Sequence, residues 1–302
     1  MRKRLGFLAC AILALAGCGG DDDGMTGGDD AGTPDSGPPP AALTGDWSCV
    51  GSRTAPTPGA ASTFTAHVYD FQSGMSSNVG GVAVDYFPDN VVAEGCSGTC
   101  VRTTPGADGN VAGLMGMENA WFAYRVAAGT GSGGTTPVLT VGYNRAVPAN
   151  GGTTQLPSVS SMTIGFIPTL YMRSRLPGTA IVSGTLTDCA GAPAANAQVR
   201  IFRGGTELVT GPGSTDFFSG YFNAANLPDS NRTATNTNGL FAAANAEATD
   251  EPLRVELWGV RTEGMPAERV ACEEIEVFAD AVTIVNVGPL RNDYASGSGC
   301  GG

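Results

Sequence analysis

Residues that could perform acid, base or nucleophilic chemistry are sparse in this chain of 302 residues. The sequence contains one histidine, His67, within the alternating stretch 64–70. A catalytic triad needs a base that activates its nucleophile, and that base is usually histidine. No nucleophile motif accompanies His67, so we interpret it as a half-exposed strand residue.

Three carboxylates, Asp85, Asp89 and Glu94, lie close together in the sequence. A glycosidase uses a pair of facing carboxylates, but spacing across a strand and a loop does not establish that these side chains face each other. The chain has no phosphate-binding loop, dinucleotide fingerprint or zinc motif. The sequence therefore predicts a non-enzymatic protein, with no catalytic residue, no cofactor and no metal site.

Cysteine is the chemically active residue type that remains. Six cysteines follow residue 18, namely Cys49, Cys96, Cys100, Cys189, Cys272 and Cys300. Six thiols allow fifteen pairings, and an oxidising compartment favours disulfides. We predict a Cys189–Cys272 bond, because both residues are placed by strands, and we expect Cys300, in a Gly/Ser-rich tail, to be the most reactive thiol.

Other pairings stay open at this stage. Cys96 and Cys100 could close a small loop, which would leave Cys49 to bond with Cys300 or to stay reduced. A bond from Cys49 to Cys96 or to Cys100 is the remaining alternative.

An aromatic segment is the candidate binding site. It lies in the extra stretch 211–232 and contains Phe217, Phe218, Tyr221 and Phe222. Aromatic side chains anchor many recognition surfaces, so this loop could stack on a sugar or hold a peptide. Alternatively, the four rings pack against the edge of a sheet or between domains.

The elements that position these residues read as strands. Alternating or short apolar runs predict strands at 64–70, 82–87, 121–126, 138–143, 162–167, 181–187, 197–202, 253–258, 270–278 and 281–287. No long helical period appears, which is typical of an all-β protein. The same order of strands and turns occurs twice, with a break at 175–178, and two copies of this length indicate two β-sandwich domains.

The N-terminus has the layout of a secretory signal. Arg2, Lys3 and Arg4 precede an apolar run over residues 5–16, which is shorter than the ~20 residues of a membrane-spanning helix. The run ends in Leu-Ala-Gly-Cys18 and resembles a bacterial lipoprotein signal. The resemblance implies cleavage before Cys18 and lipid attachment to its sulfur. Because Gly19 follows the cysteine, it also implies an outer-membrane lipoprotein on the periplasmic or cell-surface face.

Short motifs in both copies resemble the carboxypeptidase regulatory-like domain. The first copy has Val68-Tyr69-Asp70, Val82 to Tyr86, and an Asp108-Gly109-Asn110 turn. The second has Thr187-Asp188, Val199 to Phe202, and an Asn238-Gly239 turn entering a strand. The resemblance implies a transthyretin-like, seven-stranded Greek-key sandwich without catalysis of its own.

The predicted organisation has five parts. These are a signal peptide (1–17), a lipidated cysteine with a disordered acidic tether (18–45), one β-sandwich (46–177), a second (178–290) and a flexible tail (291–302). Removal of residues 1–17 lowers the formal net charge from −12 to −15, which disfavours binding to nucleic acid.

Two functions follow from this organisation. The leading hypothesis is a non-catalytic envelope lipoprotein with structural or adhesive modules. Its expected partners are the membrane, through the lipid anchor, and a glycan or an envelope protein. The alternative is a carbohydrate- or peptide-binding lipoprotein that uses the aromatic segment 216–223.

Overall fold

Strands dominate the structure, as the alternating sequence predicts. The computed structural model describes residues 41–50, 57–289 and 300. In β1 (Ala61–Asp70), Phe64, Ala66 and Val68 are buried, and the residues between them are partly exposed. One face of the strand therefore enters a core while the other meets solvent. The all-β fold class is confirmed.

Six more strands follow in the first half of the chain. They are β2 (Val84–Phe87), β3 (Val101–Thr103), β4 (Asn110–Met117), β5 (Trp121–Val126), β6 (Thr140–Ala146) and β7 (Thr153–Ser158). The second half contains seven longer strands and two of two residues. They are β8 (Thr179–Leu186), β9 (Gln198–Arg203), β10 (Thr206–Glu207), β11 (Phe218–Phe222), β12 (Pro228–Asp229), β13 (Leu240–Glu247), β14 (Leu253–Gly259), β15 (Glu268–Ile275) and β16 (Val282–Val287).

A helix lies between the two halves, where the apolar run 162–167 had predicted a strand. The helix α1 spans Ser161–Leu170, and its cap is Ser160, whose hydroxyl accepts a hydrogen bond from the Thr163 amide at 3.4 Å. The strand prediction is wrong here. A short apolar run does not distinguish a strand from a buried helix segment, and a serine that can satisfy a free amide favours a helix start.

The two halves repeat one pairing scheme. Strand β1 pairs antiparallel with β4 and parallel with β7, and β8 pairs antiparallel with β13 and parallel with β16. The facing sheets also correspond, in the orders β3-β2-β5-β6 and β10-β9-β14-β15. The short strands β11 and β12 extend the second half, and they lie in the extra stretch 211–232. The repeat read from the sequence is thus present in the topology.

Equivalent turns support the same correspondence. Gly109 and Gly239 both have positive φ, at 75° and 64°. A Cβ on Gly109 would lie 2.5 Å from the Val68 carbonyl oxygen, and one on Gly239 would lie 2.5 Å from that of Leu186. Each turn therefore needs glycine both for its backbone angle and for its close approach to a strand.

One sheet runs through both halves. Its nine strands have the order β12-β11-β13-β8-β16-β6-β5-β2-β3, with β16 and β6 paired in parallel. Phe122 and Tyr124 on one face of β5 belong to the core of the first half. Ala123 on the opposite face of β5, with Val141 and Tyr143 of β6, belongs to the core of the second half. The two sandwiches therefore share backbone hydrogen bonds and buried apolar surface.

The predicted boundaries can be compared with this arrangement. Within the described residues, the predicted domains 46–177 and 178–290 each contain seven strands longer than two residues, and these residues belong to one compact unit. Independent folding of each half stays a prediction. The signal (1–17), Cys18, the tether up to residue 40 and, in the predicted tail 291–302, every residue except Cys300 lie outside the described residues. No helix of the described chain is both long and apolar enough to cross a membrane.

Candidate functional site

His67 is held by amide side chains. One ring nitrogen lies 2.8 Å from Oε1 of Gln155 and the other lies 3.0 Å from Oδ1 of Asn78. The imidazole also stacks on Tyr69, with 6.3 Å between ring centroids. Both nitrogens are thus engaged by neutral groups, and the ring joins β1 to β7 and to the loop at Asn78.

Asp85 is the most buried of the three candidate carboxylates. It is 3 % exposed, and its oxygens accept hydrogen bonds from Arg102 and Arg125, each with a shortest distance of 2.6 Å. Burial alone would raise the pKa of Asp85, but the hydrogen bonds and charges of the two arginines outweigh burial and lower it. A glycosidase acid needs a raised pKa, so this environment favours a structural ion cluster.

The same cluster holds the loop after β2. Nη1 of Arg125 donates to the carbonyl oxygens of Ala93 and Glu94, both at 2.7 Å. Asp89 accepts from the Thr99 hydroxyl at 2.9 Å within this loop. The structure therefore gives these carboxylates and arginines a role in fixing residues 88–100.

The disulfides differ from the predicted pairing. Bonds join Cys49 to Cys189, Cys96 to Cys100, and Cys272 to Cys300. The small-loop alternative for Cys96 and Cys100 is confirmed. The predicted Cys189–Cys272 bond is wrong, and so is the prediction of a reactive Cys300, whose side chain is bonded and fully buried.

Strand position explains the disulfide error. Cys189 follows the end of β8, where Cys49 approaches it with 5.9 Å between Cα atoms. Cys272 lies within β15, in the sheet that faces β8, and is paired there with Glu256. Disulfides require Cα atoms within about 7 Å, and that proximity is decided by how the sheets pack.

The same bonds bear on metal binding. Among the described residues, Asp85, Cys96 and Cys100 come close enough together to be considered as metal ligands. Both sulfurs are joined in a disulfide and Asp85 is bound by two arginines. Thiolates are the ligands that zinc would need here, so this group does not fit a metal.

The aromatic segment packs inward. Phe218 and Tyr221 are buried, and the Tyr221 hydroxyl accepts a hydrogen bond from the Val199 amide at 3.0 Å. Phe217 packs on the core of the second half, and Phe222 on the cluster beneath α1. Phe217 and Phe222 are only partly buried. This packing agrees with the alternative in which the rings pack against a sheet, and a binding role for these four residues stays a prediction.

A cleft of about 480 Å³ lies where the two sandwiches meet, and its size lies within the usual range for small-molecule sites. Both halves line it. The first half contributes Trp121, Arg145, Thr154 and Gln155, and the second contributes Thr187, Asp188, Asn286 and Gly288. The three-stranded sheet β4-β1-β7 ends beside this cleft, and the nine-stranded sheet continues past it.

Arg145 is the positive group of this cleft. Its Nε is buried without a hydrogen-bond partner in the described part of the chain, and its Cζ lies 6.0 Å from the centroid of the Tyr124 ring. Burial raises the pKa of Tyr124 to about 12, against the opposing charge of Arg145. No carboxylate within 41–50 or 57–289 forms an ion pair with Arg145.

Asp188 is the acid of the cleft, and both of its oxygens accept hydrogen bonds from backbone amides. One oxygen of Asp188 accepts from the Asp46 amide at 2.8 Å, and the other accepts from the amides of Ala190 and Ala192, both at 2.9 Å. Asp188 is 5 % exposed. It therefore shapes the wall of the cleft and forms no ion pair with Arg145.

Sequence reasoning missed this cleft. Trp121 was predicted only as a strand residue, and Arg145 and Gln155 were not singled out. Trp121 and Arg145 lie together because β5 pairs with β6. The second half joins them because β16 also pairs with β6, a contact of high sequence separation that leaves no local signal.

Neither a protein-family model nor a curated protein matches the sequence. Among solved structures, the Bacillus anthracis TIE protein is similar at 12 % identity and a TM-score of 0.24. The match covers 75 % of this chain and 33 % of that protein. The Streptococcal ancillary pilin matches at 12 % identity and a TM-score of 0.19, over 76 % of this chain and 62 % of the pilin.

The minor pilin of Streptococcus agalactiae matches at 7 % identity and a TM-score of 0.21, over 75 % of this chain and 95 % of the pilin. This chain thus spans about a third of the TIE protein and somewhat under two thirds of the ancillary pilin. At these scores the likeness carries no argument about function, and the arguments below come from the chain itself.

Proposed function

We propose that this chain is a non-catalytic structural or adhesive protein of the cell envelope, anchored through lipid on Cys18. The observation that supports it most is the path of the chain after the tether. Residues 42–49, here called the strap, bind to the second sandwich before the chain enters the first.

The strap is held by backbone and side-chain hydrogen bonds. The Leu43 amide donates to the Val260 carbonyl at 2.8 Å, and the Cys189 amide donates to the Asp46 carbonyl at 2.8 Å. The Leu43 side chain is buried in the core of the second half. A Cβ on Gly259 would lie 2.4 Å from a Leu43 methyl carbon, so the leucine fills space that this glycine leaves open.

The Cys49–Cys189 bond makes this attachment covalent. It closes a loop with a sequence separation of 140, which contains the first sandwich. A load that enters through the tether therefore passes from Cys49 to Cys189 without extending the residues between them. A protein that holds a surface against tension benefits from such a path, because a disulfide does not yield where hydrogen bonds do.

The environment of the candidate catalytic residues supports the non-catalytic part of the proposal. His67 is bound by two amides, and Asp85 has a lowered pKa between two arginines. A screen for hydrolase activity tests this part. Turnover that disappears in His67→Ala or in Asp85→Asn would contradict it.

Single-molecule pulling between residue 18 and the C-terminus tests the load path. Under oxidising conditions residues 50–188 should not contribute to the extension. Reduction should add about 460–500 Å from the 140-residue separation and about 90–100 Å from the 28-residue separation.

The matched control removes the small disulfide. Cys96→Ser/Cys100→Ser opens a bond with a separation of 4, so it should leave the oxidised extension unchanged. Extension of the first half in the oxidised wild-type protein would contradict the load path.

A further inference from the structure

We propose that the cleft between the two sandwiches binds a saccharide that carries a carboxylate, with Arg145 as the group that recognises its charge. This inference deepens the adhesive role proposed above and rests on it. It assigns a binding site to the junction of the two halves, separate from the aromatic segment.

The charge of Arg145 is the first part of the argument. The guanidinium lines a concave site, has a buried Nε without a described partner and forms no ion pair in the described part of the chain. A planar guanidinium matches the two oxygens of a carboxylate. The acid of the same cleft, Asp188, accepts hydrogen bonds from three backbone amides and forms no ion pair with Arg145, so it does not occupy the guanidinium.

The neutral groups around Arg145 are the second part. Gln155 uses its side-chain oxygen toward His67, and its amide nitrogen makes no hydrogen bond with another described residue. The Asn286 side chain and the Thr154 hydroxyl also have no side-chain hydrogen bond within the described ranges. Two amides and a hydroxyl in one cleft match a ligand rich in hydroxyl groups.

Trp121 is the third part. It is partly exposed and lines the cleft from the first strand position of β5. Indole rings offer a large apolar face beside a polar edge, which suits the C–H face of a sugar ring. A peptide would use Arg145 equally well through its own carboxylate, but it has fewer hydroxyl groups for the amides.

The size and charge of the chain limit the ligand further. The volume of about 480 Å³ admits a small ligand or one end of a chain. The formal net charge of −12 repels long polyanions. A single carboxylate, placed directly on Arg145, meets the positive group without bringing other charges near the acidic surface.

Calorimetric titration of the purified, oxidised full chain tests the proposal at low ionic strength. The probe is galacturonic acid, which carries one carboxylate, and its methyl ester is the matched ligand without charge. The acid should bind at least about tenfold more tightly than the ester, as expected for a charge-assisted pair. Equal affinities, or no binding of the acid, would overturn the proposal.

Variants locate the site. Arg145→Gln should remove the preference for the acid, and Arg145→Lys should retain part of it. Asn286→Asp, which keeps Arg145, should weaken the acid more than the ester. Arg261→Gln is the control, because Arg261 pairs with Glu268 and does not line the cleft, and it should leave both affinities unchanged.

Two further results have defined meanings. Tighter binding of trialanine with a free carboxyl group than of galacturonic acid would overturn the saccharide assignment. Loss of the acid preference in Arg261→Gln would overturn the location. Absence of binding together with the predicted disulfide-dependent extension would refute this inference alone and leave the structural role in place.

Discussion

The Cys49–Cys189 bond should be the most stabilising disulfide of this chain. In the chain-entropy model, the constraint on the unfolded state grows with the logarithm of the loop length. For the separation of 140 the model gives about 5 kcal/mol. For the separation of 4 between Cys96 and Cys100 it gives about 2 kcal/mol.

The comparison uses two double variants. Cys49→Ala/Cys189→Ala should lose about 3 kcal/mol more free energy of unfolding than Cys96→Ala/Cys100→Ala, because it frees a far longer loop. For a domain of this size the difference corresponds to about 6–12 °C in the thermal midpoint. Removal of the Cys49–Cys189 bond also releases the strap, so the chain-entropy value is the minimum loss of stability expected for this variant.

Thermal unfolding followed by far-ultraviolet circular dichroism measures both variants under identical conditions. Mass spectrometry without reduction confirms that the remaining two bonds stay as in the structure. An equal or larger loss in the Cys96/Cys100 variant would refute the reasoning. So would a wild-type peptide map that links Cys189 to Cys272.

Three other predictions concern the ion cluster, the anchor and the halves. Arg125→Met should lower the free energy of unfolding by about 3 kcal/mol, because it leaves the buried Asp85 carboxylate with one arginine. The Arg102 side chain is 58 % exposed, so Arg102→Met should lower it by under about 1 kcal/mol. Denaturant unfolding measures both variants. The pKa of Asp85 is lower in the folded state than in the unfolded state. Its contribution to stability is therefore present above the unfolded-state pKa and is lost as pH falls through the folded-state pKa. Asp85→Asn should remove this pH dependence, so stability should fall less steeply toward acid pH. Cys18→Ser should abolish partitioning into detergent, and unchanged partitioning would contradict lipidation. A fragment of residues 178–290 should give a β-type circular dichroism spectrum. Its thermal midpoint should be lower than that of the whole chain, because the fragment loses the pairing of β16 with β6. A disordered spectrum would show that the halves do not fold independently.

Local periodicity was sufficient for most strands. Residues 121–126 were predicted as a strand and form β5 with the same bounds. Turn chemistry was equally local, since the turns predicted at Gly109 and Gly239 are present and both glycines have positive φ. The Cys96–Cys100 loop also follows from short spacing, because only three residues separate the two sulfurs.

Contacts between distant segments were decided only in the tertiary structure. The pairing of β16 with β6 joins residues separated by more than a hundred positions, and neither strand carries a pattern that selects its partner. The same contact brings Asn286 and the second half beside Arg145 and so forms the cleft. Alternation indicates which side of a strand is buried, but not which surface buries it.

The aromatic segment also shows that sequence alone does not determine which surface contacts an apolar side chain. A run of four aromatic side chains has the composition of a binding loop and of a packed edge alike. Phe218 and Tyr221 became core residues because β11 pairs with β13, and α1 with Tyr171 covers the sheet beside them. The sequence determined that burial of these apolar side chains is favourable, because it removes apolar area from water. The tertiary structure determined that other parts of the same chain bury them.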